Sequence, residues 1–187
     1  IEHKPIMGPS FIDENVMYLA KKYDIEIPTK MLTEEEIYEM NTYQAYKAAA
    51  EYISSHDYGP MQTEEIERRG WSEEFCRGIL IGWLPDWSAF RGYMKNLGFT
   101  ARFLDEIDLG NDKIFHSDNL IFTVSDDFGR PVGFAARNLR FDGIKDEAGR
   151  LINGTKFNNT RTTATKCNIY RKSERLYLLD RAKSKSP

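Results

Sequence analysis

The sequence predicts an α+β protein, a helical N-terminal layer followed by a small antiparallel sheet with a closing helix. Three observations carry this. Apolar residues recur at helical spacing through the first 110 residues; after Gly110 they gather into short runs cut by turn residues; and the last stretch, from about Arg171 to Arg181, returns to a helical pattern. The predicted subdomains are 1–110, helical, and 111–187, small, basic and mixed α/β.

The elements follow in order. SFIDENVMYLAKKYDI has Ser10 as a cap and Phe11, Val16, Leu19, Ala20 and Tyr23 as an apolar stripe, with Pro28 just beyond it. TEEEIYEMNTYQAYKAAAEYI opens on Thr33 and Glu36, the Thr-x-x-Glu spelling of a capping box, and its acids sit where they complement the helix dipole. Gly59 and Pro60 break the pattern, and TEEIERRG predicts a short helix stopped at Gly70. Ser72 and Asp86 start further helices, and Gly98 ends one.

Beyond Gly110, residues 114–124 and 130–139 predict two strands joined through the hairpin signal SDDFG, and the polar, glycine-containing residues 140–155 predict a loop. Side chains alternate across a strand, so Val132, Phe134 and Ala136 form one face, the buried one. The other face is Gly133, Ala135 and Arg137. Glycine and alanine leave room for something close to the backbone, and a guanidinium at the end suits a phosphate or a carboxylate. A packed helix with an acid partner for Arg137 satisfies the same pattern.

Composition narrows the function classes. The 187 residues are 41% hydrophobic and 29% charged, ordinary for a globular domain. No apolar run approaches the ~18 residues that span a bilayer, and the first residues lack a signal-peptide pattern, so no membrane partner and a cytoplasmic setting are the expectation. Cys76 and Cys167 give no disulfide framework, and with His3, His56 and His116 scattered no zinc spacing arises. Charge is segregated. Residues 1–110 hold 11 Lys and Arg against 20 Asp and Glu, a balance of −9, whereas residues 111–187 hold 15 against 9, a balance of +6. From Lys156 onward there are nine basic residues and two acidic ones, which predicts a surface for a polyanion.

Other constellations read as structure. Asp126 and Asp127 before Phe128-Gly129 spell a turn; His116 has no partner in sequence; Ser72, Ser88 and Cys76 lack a nucleophile context; Trp71, Trp83 and Trp87 read as packing residues.

Several stretches then fall into a known order. RRGWSEEFCRGILIGWLPDW (68–87) resembles the "RG, apolar helix, iGyaP" segment of bacterial-type, DnaG-like DNA primases, and IFTVSDDFGRPVGFAARNL (121–139) resembles their "mFPI-D--GR-iGFggR-L". KFNN (156–159) is similar to "KYLN", IYRKSERLYLL (169–179) to "lF-Ks--LYgL", and PSFIDENVMYLAKKYDIEIP to the helix after the family's zinc ribbon.

The resemblance implies the N-terminal part of a primase RNA-polymerase core, with a zinc ribbon before it and a metal-binding TOPRIM domain after it, both outside this sequence. It implies no catalytic residue and no cofactor here, with divalent metal (Mg) serving the full enzyme. Partners implied are single-stranded DNA template and RNA primer hybrid, nucleotides in the full enzyme, and a replicative helicase through other regions. Carried onto this chain, Gly133 and Ala135 would admit a nucleic-acid backbone; Arg137, Lys156, Arg161, Lys172 and Arg175 would meet phosphates; Asn159 is either a turn residue or a polar contact; and Phe157 and Tyr170 are either stacking faces or core. Ser117 and Asn119 stand where the family has basic residues, a departure that suits a phage or mobile-element primase. A stand-alone single-strand-binding module without catalysis is the alternative.

Overall fold

A computed structural model describes residues 33–161 together with Tyr23 and Ile169. The chain divides into two compact units, Ile1–Thr33 and Glu34–Pro187. Of the first, Tyr23 is helical and exposed; the remainder of the expected helix around it lies outside the described residues, as does the expected closing helix.

The second unit opens with α1, Glu34–Ser54, whose first turn carries Glu34, Glu35 and Glu36. Its buried residues, Thr42, Ala45, Tyr46, Ala49, Ala50 and Ile53, recur every three or four positions and form one stripe. Three alanines in that stripe let the helix lie close to the sheet. Helix α2, Pro60–Arg68, begins on a proline, whose missing N–H costs nothing there, and Gly70 ends it at φ +67°. Ser72, Asp86 and Thr100 cap α3 (Glu73–Gly78), α4 (Trp87–Asn96) and α5 (Ala101–Glu106) by accepting backbone N–H bonds at 2.7–3.2 Å. Gly98 sits at φ +93° just past α4, as its place in the sequence predicts.

The sheet has four antiparallel strands in the order β1 (Ile81–Gly82), β2 (Asn119–Ser125), β3 (Pro131–Asn138) and β4 (Phe157–Asn159). One face meets α1 and α4: Ile121, Phe134 and Ala136 join Ala49, Ile53, Phe90 and Met94 in the main core. Tyr46 stacks on Phe134 at 5.6 Å, and its hydroxyl donates to the Ile107 carbonyl at 2.6 Å. At the sheet edge Trp83 N–H donates to the Ile53 carbonyl, and a side chain at Gly82 would run into that same carbonyl, so this close approach requires glycine.

On the other face, Ile81 and Leu120 pack under Ile66, Cys76 and Ile79 from α2 and α3. Burial pushes the Cys76 thiol up from its ordinary value, with Glu73 adding to the effect, which suits a packing residue and not a nucleophile. Nearby Glu65 accepts from Arg68 at 2.8 Å and Arg69 at 2.7 Å.

Two expectations need correction. The first strand starts at Asn119, not at 114. Residues 111–115 make a turn in which Ile114 and Phe115 N–H groups donate to the Asn111 carbonyl, so two consecutive apolar side chains both enter the core; strand alternation would have sent one outward. The stretch 140–155 also holds a second hairpin. Asp146 repeats what Asp126 does in the first: each carboxylate accepts the N–H and Nε–H of an arginine four residues on, Arg150 or Arg130, at 2.7–2.9 Å. A glycine at positive φ, Gly149 or Gly129, closes each turn.

Candidate nucleic-acid interface

Register places the second face of the sheet row by row. Leu120, Arg137 and Phe157 are cross-strand partners, as are Phe122, Ala135 and Asn159, and Val124 pairs with Gly133. Antiparallel partners share a face. Arg137 and Phe157 thus stand side by side, with Ala135 and Asn159 as the next row. The open part of this strip begins at Ala135, because Gly133 is buried.

Strand β4 holds its place through its ends. Thr160 is buried, donates its N–H to the Phe134 carbonyl at 2.9 Å and accepts the Phe134 N–H on Oγ1 at 2.9 Å. At the other end Asn138 N–H donates to the Lys156 carbonyl at 3.1 Å, while the Asn138 side chain holds the carbonyls of Asn153 and Thr155. Nothing local in KFNN spells a strand; tertiary pairing with β3 makes it one.

Arginine pairing separates the cations. Among the described residues Arg68, Arg69, Arg77, Arg102, Arg130, Arg140, Arg150 and Arg161 each lie within 4.0 Å of a carboxylate. Arg137 pairs with none. Its Nε and Nη1 are shielded from water and have no hydrogen-bond partner, and its guanidinium carbon lies 5.3 Å from the centre of the Phe157 ring. The packed-helix alternative required an acid for this arginine, and the described residues supply none. Leaving buried donors unmade is costly, and Nη2, which is not among the shielded atoms, is the nitrogen on which this guanidinium would meet an incoming anion.

The other predicted residues divide. Lys156 is exposed just before β4, its ammonium 6.0 Å from the Phe157 ring centre. Phe157 is 50% exposed, which corrects the core alternative for that ring and leaves a face open for stacking. Asn159 is half-buried beside Ala135. Arg161 stands apart: its Nε and Nη2 meet Asp108 Oδ1 at 2.9 and 2.8 Å, and its N–H donates to Asp108 Oδ2, so it staples the end of β4 to the turn after α5. Asp108 is buried at φ +65°, and no sequence signal marks it as that partner. Lys172, Arg175 and Tyr170 lie outside the described residues.

The departure at Ser117 and Asn119 also has a structural account. Asn119 is buried, its amide donating to the Lys113 and Ile114 carbonyls at 2.9 Å each, while Gln62 donates to the Ser117 and Asn119 carbonyls. A charged side chain at 119 would break that turn. Trp71, Trp83 and Trp87 pack as expected, with Trp87 stacked 6.0 Å from Phe115 and the Trp83 indole donating to the Asp57 carbonyl. Among the described residues no group of three or more His, Cys, Asp or Glu is placed to hold a metal ion, and no helix is long and apolar enough to cross a membrane.

Residues 50–183 match the family described as DNA primase catalytic core, N-terminal domain. Among solved structures, the chain is similar to the RNA polymerase domain of Mycobacterium tuberculosis primase DnaG, with 24% identity, a TM-score of 0.61 and coverage of 78% of this chain and 46% of that one. It is similar to the zinc-binding and RNA polymerase domains of the Aquifex aeolicus primase at 16% identity and TM-score 0.58, covering 90% and 39%. A DnaG primase catalytic domain bound to ssDNA gives 22% identity and TM-score 0.56, covering 79% and 46%. The chain spans less than half the length of each of these three. Individual curated proteins give no match to the sequence.

Proposed function

Because the chain belongs to the family of the DNA primase catalytic core, N-terminal domain, we propose that it binds a single-stranded DNA template and the short primer hybrid during RNA primer synthesis. One observation carries this: Arg137, with no acid partner, stands beside an exposed aromatic ring on the part of the sheet face that α2 and α3 leave uncovered. Arg137 and Lys156 supply charge for phosphates, Phe157 supplies a stacking surface, and Ala135 lets the strand lie close to β3. Asn159 adds a polar contact to sugar or phosphate. Arg161 contributes through Asp108, by fixing where β4 ends.

Primer synthesis itself is phosphoryl transfer with divalent metal ions, nucleotides and a second, acidic centre. In this proposal the domain's share is to hold and orient the strand for that neighbouring centre. Lys172 and Arg175 meet further phosphates in this reading, and Tyr170 offers a stacking face, in a cytoplasmic enzyme that works beside a replicative helicase.

Fluorescence anisotropy of a labelled oligo-dT against the 187-residue chain tests the proposal. Each lost phosphate contact flattens the log–log salt dependence of single-strand binding by roughly 0.7. The Arg137→Ala, Lys156→Ala variant accordingly shows weaker binding and a slope flatter by about 1.4. An unchanged slope and affinity would remove these residues from the interface.

A further inference from the structure

A second unpaired arginine lies on the far side of the sheet. Helix α4 packs through Phe90 and Met94 into the core of the first face, whereas Arg137 belongs to the second. Outside α4 a groove of about 830 Å³ runs to the start of α5. Its floor includes the partly buried rings of Trp87 and Phe99, and its rim carries Arg91 and Lys95.

Three features distinguish it from an ordinary solvated surface. It has no aspartate or glutamate in its walls, although residues 1–110 hold 20 acidic against 11 basic residues. Arg91 and Lys95 have no carboxylate within 4.0 Å among the described residues, and Arg91 instead lies 5.8 Å from the Trp87 ring centre. Between them Gly92 leaves the helix backbone bare: a side chain there would meet nothing within 4 Å, and the same holds at Gly98. Lys95 also complements the C-terminal end of α4, but Arg91, a turn earlier, has no such role.

We infer that the groove between α4 and α5 is a second contact for single-stranded nucleic acid, taking strand phosphates on Arg91 and Lys95. The inference rests on the proposal that this domain handles single strands. The two cations are one helical turn apart, about 6 Å along the axis, a separation comparable with successive phosphates of an extended strand. An acidic peptide is the weaker fit. Its own N–H and C=O groups would need partners, and the side of α4 that lines the groove has its backbone groups already bonded, leaving only the first-turn N–H groups of α5 and no free carbonyls of that helix start. With no amide or carboxylate in its walls the groove reads charge and ring faces, not base edges.

The test measures a labelled 30-nucleotide oligo-dT and, separately, a labelled poly-glutamate peptide against the 187-residue chain. Arg91→Glu, Lys95→Glu is expected to weaken oligo-dT binding and to flatten the salt slope by about 1.4. Gly92→Glu separates folding from binding, because glutamate is the better helix former and raises Tm while placing an acid between the two cations. It is expected to melt higher and bind oligo-dT more weakly. Arg137→Ala, Lys156→Ala is run in parallel. Loss in that variant with wild-type binding in both groove variants overturns the inference and leaves the sheet-face proposal standing; the reverse pattern supports the groove and removes the sheet face. Unchanged oligo-dT binding with lost poly-glutamate binding overturns it in favour of an acidic protein partner.

Discussion

Replacing Arg137 with methionine separates the energetics of the fold from those of the interface. Two buried guanidinium nitrogens, Nε and Nη1, make no hydrogen bond, and each unsatisfied buried donor costs about 1–3 kcal/mol. Methionine fills a similar path with no donor and keeps a favourable sulfur contact with the Phe157 ring. What it forfeits is the cation–π contact at 5.3 Å, about 0.5–1 kcal/mol at a partly exposed site. Arg137 is only partly buried, so the low end of the donor penalty applies, about 2 kcal/mol for the two nitrogens, and after the cation–π loss Arg137→Met should stabilise the domain by about 1–1.5 kcal/mol. For a domain of this size each kcal/mol moves Tm by about 2–4 °C. Differential scanning calorimetry should therefore show a rise of several degrees, accompanied by weaker oligo-dT binding. A lower Tm would mean the guanidinium is satisfied in the folded protein, and the case for an anion completing it would fall.

Three further outcomes follow from the scaffold. Glu65 is held below its ordinary value of 4.5, first by its hydrogen bond from Arg68 and then by that from Arg69, against the opposing effect of burial. A lowered folded value gives stability that is full above 4.5 and lost as the pH falls through the folded value; Glu65→Gln should flatten the acid limb of a Tm-against-pH series and lower Tm at pH 7. Gly82→Ala drives a methyl group into the Ile53 carbonyl and should cost about 3 kcal/mol in urea unfolding. Asp126→Ala removes acceptors for two backbone N–H groups and the Arg130 side chain at a buried carboxylate, about 2–3 kcal/mol. Asp146→Ala, in the same turn on a more exposed hairpin, should lose distinctly less by the same assay.

The helices were readable because their ends are spelled locally: Ser72, Asp86, Gly70 and Gly98 each act where the sequence places them. The β2–β3 hairpin was equally local, through Asp126, Gly129 and the Val132, Phe134, Ala136 alternation. Strands β1 and β4 were not legible. Two- and three-residue strands carry no periodicity, and each exists because a longer neighbour supplies its hydrogen bonds. Residues 111–118 misled because an apolar pair in a tight turn looks like a strand until Asn111 and Asn119 are seen gathering the carbonyls and N–H groups. The second hairpin did have a signal: DEAGR at 146–150 repeats the pattern of DDFGR at 126–130. In the candidate site Arg137 and Phe157 come together through the pairing of β3 with β4, whereas the capture of Arg161 by Asp108, 53 residues away, depends on tertiary placement that no local pattern encodes.

The most direct measurement places a strand on the sheet face. An oligonucleotide carrying 5-iododeoxyuridine, irradiated with the 187-residue chain and mapped by mass spectrometry, should attach to the peptide containing Phe157, and Arg137→Met should reduce that product. Attachment confined to rings outside the β3–β4 face, such as Phe75 or Phe128, with none at Phe157, would contradict the account.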